Sequence, residues 1–278
     1  MKRFLVTTTI FFLLHITPTK AQILLTDVSS AQSAATCDAT VAQTGVVALF
    51  NNQAGLADVQ TLSGVVASEW RFGVKDLKPI AFGLVLPSKS GVFGFTLNHF
   101  NFENTREDVV GVAFAKKMSP KLNASLRLNA TNYSVSEYGS TLLLSFELGM
   151  NYLLFEQIKI GFHVKNPLQQ KLNESDFTPS VFRLGLAYQV NEAVNLSLET
   201  AKDNFNAADF RLGLNYKIAP NFTVRGGFAT APTRFAFGLS YFLSEKFAID
   251  LGLSSYAALG LTPSVSLCFF SKKRESKR

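Results

Sequence analysis

The sequence has little charge and no long apolar run. Charged residues make up 17% of the 278 residues and hydrophobic residues 47%, whereas soluble domains usually carry about 25% charged residues. Since no apolar run approaches the roughly 20 residues that a bilayer requires, we expect no transmembrane helix. The length suits one large β or α/β domain, or two small ones.

The chain also lacks a basic body. Its net charge is +7, but the excess lies at the two ends, in Lys2, Arg3 and Lys20 and in the tail "KKRESKR", residues 272–278. The remaining body is close to neutral. Because a nucleic-acid binder needs a basic patch on its folded surface, we expect no nucleic-acid partner.

Cysteine is scarce, and no catalytic motif is present. Cys37 and Cys268 are the only cysteines; they could form one bridge or remain two thiols, and neither fits a metal-site spacing. The sequence contains no H-E-x-x-H, G-x-S-x-G or Walker motif. We therefore expect neither a metal nor a cofactor, and no enzymatic activity.

The N-terminus has the pattern of an export signal. In "MKRFLVTTTIFFLLHITPTKAQ", two basic residues precede an apolar stretch at 4–16 that is too short to span a bilayer. Small residues then precede Gln22, which predicts a secretory signal over residues 1–21 with cleavage after Ala21. The alternative is a buried core helix. No cysteine stands at the cleavage site, which disfavours a lipoprotein.

After about residue 61 the pattern becomes strand, turn, strand. Apolar residues alternate with small or charged ones, as in Phe182, Leu184, Leu186 and Tyr188. We predict fourteen strands of mostly about ten residues, the length that a tilted strand needs to cross a bilayer: 61–72, 79–87, 91–102, 108–117, 121–134, 141–153, 157–165, 180–190, 193–202, 207–218, 221–229, 234–243, 246–255 and 262–271.

Three features favour a membrane barrel over a soluble β-sandwich. Connections after even strands are short, such as "SPK" and "FEQ", while those after odd strands are longer, including "NTRED", "SEYGS" and "NPLQQKLNESDFTP"; this is the pattern of outer-membrane barrels. Aromatic residues recur before the short turns, at the level that lipid headgroups would occupy: Tyr152, Tyr188, Tyr216, Tyr241 and Phe269.

The third feature is that the polar face of the strands carries charged residues of both signs. In a hydrated lumen these side chains could be solvated or form ion pairs. The candidate lumen residues are Arg127, Glu147, His163, Arg183, Glu199, Arg211, Arg225 and Asp250. A sheet in hydrocarbon must also close on itself to satisfy its backbone. We therefore predict an all-β, fourteen-strand antiparallel barrel over residues 61–271, integral to the bacterial outer membrane and in contact with its lipid, with residues 272–278 as a basic periplasmic tail.

Residues 22–60 differ from the barrel and contain "NNQAGLA" at 51–57. This segment resembles the "NPAGLA" signature of FadL-type outer-membrane barrels, including the PorV/PorQ-like proteins of Bacteroidota, although Gln53 replaces the usual proline. "RLGLAY", "RLGLNY" and "RGGFATAP" are also similar to stretches of that group. The resemblance implies that residues 22–60 form a plug inside the barrel, with Asn52, Ala54 and Gly55 as its motif. Several small inward residues would leave room for it: Gly111, Gly149, Gly185, Gly213, Gly227, Gly238 and Gly252.

The resemblance leaves three functions open. A PorV/PorQ-like barrel would bind secreted proteins or components of the type IX secretion system, and the shortness of the loops favours this non-catalytic function. The alternative is a FadL-like channel for a small apolar molecule. The third, an enzyme barrel acting on lipid, would use His163 as a general base, although a hydrated lumen histidine is the simpler interpretation.

Overall fold

The alternating segments form strands that pair in chain order and close into a barrel. The structure, a computed structural model, describes residues 28–171 and 177–271. Within that part of the chain, fourteen antiparallel strands run in sequence and β1 pairs with β14. The predicted fourteen-strand barrel is thus confirmed. The predicted signal (1–21), residues 22–27 of the predicted plug and the predicted tail (272–278) lie outside the described residues.

The strands begin and end within three residues of the predicted positions. They are β1 (Ser63–Glu69), β2 (Ile80–Pro87), β3 (Val92–Phe102), β4 (Thr105–Ser119), β5 (Leu122–Val135), β6 (Gly139–Phe155), β7 (Ile158–Lys165), β8 (Val181–Gln189), β9 (Val194–Asp203), β10 (Asp209–Ala219), β11 (Phe222–Thr230), β12 (Thr233–Phe242), β13 (Phe247–Tyr256) and β14 (Gly260–Phe270).

Two of the connections predicted to be long are tight turns. "NTRED" lies almost wholly within β4, so that β3 and β4 are joined by residues 103–104 alone, and "SEYGS" leaves only 136–138 between β5 and β6. This prediction was wrong because the polar residues of these two segments were interpreted as loop residues. β4, β5 and β6 have 15, 14 and 17 residues, longer than the 9–11 residues that cross a bilayer, and their ends need no apolar face.

The outside of the barrel is apolar. Alternate residues of β6 point outward, and Leu142, Leu144 and Leu148 remain 66%, 62% and 45% exposed, whereas Leu143 and Glu147 between them are buried. The same holds around the ring, and Tyr152, Tyr216 and Tyr241 of the predicted aromatic girdle are exposed on it. An apolar surface of this extent requires a non-aqueous environment.

Residues 28–60 lie inside the ring of strands. They contain a short helix, α1 (Ala31–Ala34), which begins where Ser30 accepts a hydrogen bond from the Ser33 amide, and two 3-10 helices, Val46–Phe50 and Gln53–Asp58. A third 3-10 helix, Arg71–Gly73, follows β1. None of the helices among the described residues is long and apolar enough to cross a membrane.

Two inner stretches can be distinguished by how they meet the wall. The first inner stretch, residues 29–44, contacts inward side chains of β8 to β14 through hydrogen bonds. The second inner stretch, residues 46–57, forms an apolar cluster with β1 to β4, β13 and β14, in which Val46, Leu49 and Leu56 pack with Val65 and Val85. Residues 28–60 therefore occupy the space that the inward glycines leave.

Candidate functional site

The "NNQAGLA" segment joins the second inner stretch to the wall. Asn52 is fully buried; its side-chain oxygen accepts from the Ala54 amide at 3.2 Å and its Nδ2 donates to the Val41 carbonyl at 2.7 Å. Asn52 Nδ2 also lies 3.3 Å from the Phe162 carbonyl of β7. Gly55 is needed because a Cβ there would collide with the Gln43 carbonyl. This motif therefore connects both inner stretches to one side of the barrel.

Glu147 is the centre of a buried polar cluster. It lies opposite Arg127 in the β5–β6 pair, with Arg127 Nη1 3.9 Å from its carboxylate. Asn129 donates to it at 2.8 Å and His163 Nε2 lies at 3.1 Å. Gln53, which stands where the FadL-type signature has proline, donates to it at 3.0 Å. The departure from the signature thus creates a contact that proline could not make.

Glu199 forms the second cluster. Its carboxylate accepts from Arg183 Nε at 2.6 Å and from Arg211 Nη1 at 3.1 Å. It also accepts from the backbone amides of Thr40 and Val41, both at 2.9 Å. One buried carboxylate of the wall thereby holds the first inner stretch through two charge-assisted hydrogen bonds to its backbone, a strong class of interaction.

Asp250 forms the third cluster. It accepts from Gln32 at 2.9 and 3.0 Å and from Ser240, which also accepts from Arg225. Arg225 itself lies 4.0 Å from the Asp250 carboxylate. All eight lumen candidates named from the sequence are thus buried or half-buried inside the ring, where they fall into three hydrogen-bonded clusters.

A fourth cluster, around Arg234, did not follow from the sequence. Arg234 donates to the Cys37 carbonyl at 3.0 Å and to Asp38 at 3.2 Å, and Asp209 lies 3.8 Å away. Arg234 precedes the alternation "FAFGLSYF" of β12, and its inward position in that alternation was the available signal. Burial alone would raise the pKa of Asp38, but the Arg234 and Arg211 guanidinium groups offset this and hold it below its usual value.

The two cysteines are separate, buried thiols. Cys37 belongs to the first inner stretch, where its Sγ faces the Arg234 carbonyl at 3.7 Å, and Cys268 on β14 faces Asp250 at 3.6 Å. Burial raises the pKa of Cys37 to about 11, so the thiolate is scarce at neutral pH. The possibility of a bridge between them is not realised.

A cavity of about 280 Å³ lies on one side of the inner stretches, next to Asn166, Gln170, Thr178 and Pro179. We call it the loop-side cavity. It is lined by Asn129, Glu147 and His163 of the Glu147 cluster, and by apolar groups that include Leu143, Val109 and Phe50. Lys165 and Arg183 also reach it. The lining therefore combines apolar surface with a few polar groups, the mixture typical of small-molecule sites.

A second cavity, of about 440 Å³, lies at the end of the barrel where short turns connect β6 to β7 and β8 to β9. We call it the turn-side cavity. Its lining is rich in amide side chains, namely Gln32, Gln43, Gln157, Gln189, Asn195 and Asn215. The first inner stretch supplies Gln32 and Gln43 to this cavity and Asp38 to the loop-side cavity. The inner stretches thus lie between the two spaces.

The described part of the chain contains no group of side chains that could bind a metal ion. Over residues 28–171 and 177–271, no group of three or more His, Cys, Asp or Glu side chains is arranged to hold an ion. His163, the residue considered as a general base, is fully enclosed and its Nε2 is paired with Glu147.

The sequence itself matches no protein-family model and no curated protein. Solved structures do match. The CymD monoaromatic hydrocarbon channel has a TM-score of 0.69 and 12% identity, over 88% of this chain and 98% of that one. The toluene transporter TbuX of Ralstonia pickettii has a TM-score of 0.67 and 14% identity, over 88% and 97%. A FadL homologue of Pseudomonas aeruginosa has a TM-score of 0.63 and 11% identity, over 87% and 98%.

These neighbours are named as small-molecule channels or FadL-type proteins and not as enzymes or secretion components. The expectation of a PorV/PorQ-like barrel with a secretion partner gains no support from them, and the FadL-like alternative fits them better. At these identities the likeness concerns the fold alone. The chain therefore shares with them a closed, antiparallel barrel of the kind found in FadL-type outer-membrane channels.

Proposed function

We propose that this protein is a non-catalytic barrel of the bacterial outer membrane that takes up small, largely apolar molecules. The observation that carries the proposal is the loop-side cavity of about 280 Å³, which is lined by the wall and the inner stretches. Cavities of roughly 150 Å³ already accommodate benzene. The size suits a one-ring molecule better than a long chain.

The barrel fold and its apolar outside support the location. The exposed leucines and phenylalanines of the outer face would be in contact with lipid, and the backbone is satisfied around the closed ring. The solved neighbours include two proteins named as hydrocarbon or toluene channels. In this proposal the two inner stretches act as a plug that separates the loop-side from the turn-side cavity.

The test is uptake of toluene by bacterial cells that lack their own toluene transporter, with and without this protein. We expect faster initial uptake with the protein. Ser145→Phe, which places a ring in the loop-side cavity, should reduce the gain several-fold. Met150→Phe places the same ring on the lipid face of the same strand and should leave uptake unchanged.

The outcome that rejects the proposal is equal uptake with and without the protein, at verified levels in the outer-membrane fraction. A heat-dependent shift of the unboiled protein on a gel confirms that each variant forms a closed barrel. Loss of uptake in both phenylalanine variants would also count against the loop-side cavity as the binding site.

A further inference from the structure

The wall of β4 to β6 presents a row of three inward side chains to the loop-side cavity. Val109 lies opposite Thr131 in the β4–β5 pair, and Thr131 lies opposite Leu143 in the β5–β6 pair. Side chains directly opposite each other on one face of an antiparallel sheet are neighbours. All three line the loop-side cavity. We call them the apolar row, because two are apolar and Thr131 carries a methyl group.

The apolar row keeps surface that faces the cavity. Val109 and Leu143 are 9% and 8% exposed, and Thr131 is half-buried. Neither Val109 nor Leu143 belongs to the two apolar clusters found among the described residues, which include the second inner stretch. Their apolar surface is therefore open to a molecule in the cavity instead of being covered by the inner stretches.

The levels above and below the apolar row are polar. Among the residues of the same three strands that line the cavity, Glu107 and Tyr133 lie one level nearer to the loops. Asn129 and Ser145 lie one level further into the barrel. The wall thus offers an apolar molecule one level of contact, bounded on both sides by groups that retain water.

The charged side chains that line the cavity lie at other levels or on other elements. Glu107 is one level above the apolar row, and Arg127 and Glu147 are two levels below it. The remaining charged groups belong to the first inner stretch and to β7, β8, β10 and β12, and they are Asp38, Lys165, Arg183, Arg211 and Arg234.

Several of these charged groups are engaged with the inner stretches. Arg183 donates to the Asp38 carbonyl at 2.8 Å, and Arg234 donates to the Cys37 carbonyl at 3.0 Å. A neutral apolar molecule placed against them would displace water from charged groups without offering a hydrogen bond, which is unfavourable. Contact with the apolar row removes apolar surface from water on both partners, which is favourable.

We propose that Val109, Thr131 and Leu143 form the seat on which the ring of a small neutral apolar molecule lies in the loop-side cavity. The inference rests on the proposed function, because it locates the ligand of the same cavity. It assigns the affinity for apolar molecules to the wall of β4 to β6 and leaves the charged side of the cavity to hold the inner stretches.

The test measures binding of p-fluorotoluene to the purified protein in detergent by fluorine NMR, with protein-free micelles as the reference. Val109→Thr, which adds a hydroxyl group at nearly the same shape, and Leu143→Ala should each weaken binding several-fold. Thr131→Val replaces a hydroxyl group by a methyl group in the middle of the row and should strengthen binding several-fold. A gain of affinity is not expected from a residue with a merely structural role.

Two matched controls lie next to these residues on the opposite face of the same strands. Val110 and Leu144 are 51% and 62% exposed on the outside of the barrel. Val110→Thr and Leu144→Ala make the same chemical changes there and should leave the affinity unchanged. A heat-dependent shift on an unboiled gel identifies the variants that form a closed barrel, and Thr131→Val and Val109→Thr keep the test decisive should Leu143→Ala fail to fold.

The results separate this inference from the function on which it rests. If the unmodified protein binds p-fluorotoluene and the folded variants of the apolar row bind it equally well, the inference is overturned and the channel proposal stands. Equal changes in the inward and the outward variants would also overturn the inference. Absence of binding by the unmodified protein would overturn both proposals.

Discussion

The two inner stretches occupy the same barrel but are held differently, the first by hydrogen bonds and the second by apolar packing on one side of the barrel together with a polar junction of Asn52 and Gln53 on the other. The first inner stretch is tied to β8–β14 by hydrogen bonds to Glu199, Arg183, Arg234, Asp250 and Ser266. The second inner stretch packs Leu49 and Leu56 against the small and apolar residues of β1–β3.

The hydrogen-bonded contacts of the first inner stretch and the apolar contacts of the second should therefore be weakened by different substitutions. Buried polar contacts are strong while complete but costly once one partner is missing, whereas apolar packing is lost in proportion to the volume removed. We therefore expect the two stretches to be loosened independently. Hydrogen–deuterium exchange, followed by mass spectrometry of peptides from 31–44 and 46–57, measures each stretch separately.

The largest effect is expected for Glu199→Ala. It leaves Arg183 and Arg211 without their shared carboxylate and removes the acceptor of the Thr40 and Val41 amides. Breaking a buried pair costs about 3–5 kcal/mol. Exchange should rise strongly in 31–44 and little in 46–57. Glu245→Ala, at an exposed turn residue, is the control, and similar exchange in both variants would contradict the role of Glu199.

Leu49→Ala should produce the reverse pattern. Leu49 is fully buried, and its side chain fills the space beside Gly83 and Gly94. Truncation of a buried leucine costs about 3 kcal/mol, and the increase in exchange should be confined largely to 46–57. Leu251→Ala removes the same atoms from the outer face, where Leu251 is 50% exposed, and should leave both stretches protected. Loss of protection in 31–44 alone would refute the division.

The strands of the wall were predictable from the sequence because their side chains alternate between the lipid and the barrel interior. Period-2 alternation marked all fourteen strands, and the inward positions of Arg127, Glu147 and Glu199 followed from it. Outside the apolar band the alternation no longer identifies strand residues, because both faces of a strand can be polar there. For this reason residues 105–107 of β4 were left outside the predicted strand.

The inner contacts were not predictable in the same way. Glu199 binds backbone amides of Thr40 and Val41, and any residue at positions 40 and 41 other than proline presents the same amide. Gln53 replaces the proline of the FadL-type signature, but the consequence of this replacement, a hydrogen bond to Glu147, is visible only in the structure. The inward glycines did indicate that space was left, without indicating which residues fill it.

A smaller effect is expected where two adjacent glycines of β11 face opposite sides. A Cβ at Gly227 would collide with the backbone of Thr36 and Cys37, whereas one at Gly226 meets nothing nearer than 3.9 Å. Overpacking costs about 1–3 kcal/mol, so Gly227→Ala should increase exchange in 31–44 and expose the Cys37 thiol to labelling. Gly226→Ala should match the unmodified protein. Equal labelling of Cys37 in both variants would show that the first inner stretch does not rest on β11.

The smallest effect is expected from pH. Because Arg234 and Arg211 hold the pKa of Asp38 below its usual value against the opposing effect of burial, the folded state binds this proton more weakly than the unfolded chain does. The resulting stability is fully present above the usual carboxyl pKa of about 4 and is lost as the pH falls through the lowered value in the folded protein. The loss is limited because Arg234 keeps the Cys37 carbonyl and Asp209 as partners.

Exchange of 31–44, corrected for the intrinsic pH dependence of amide exchange, should therefore stay constant from pH 7 to pH 5 and rise only below about pH 4. In Asp38→Asn the rise attributable to this carboxylate should disappear, while protection at neutral pH should already be slightly lower. The second inner stretch, whose contacts with β1–β3 are apolar, should show no change attributable to Asp38. A rise of the same size in 46–57 would mean that acid loosens the whole barrel, and the contrast between the polar and the apolar attachment would then not hold.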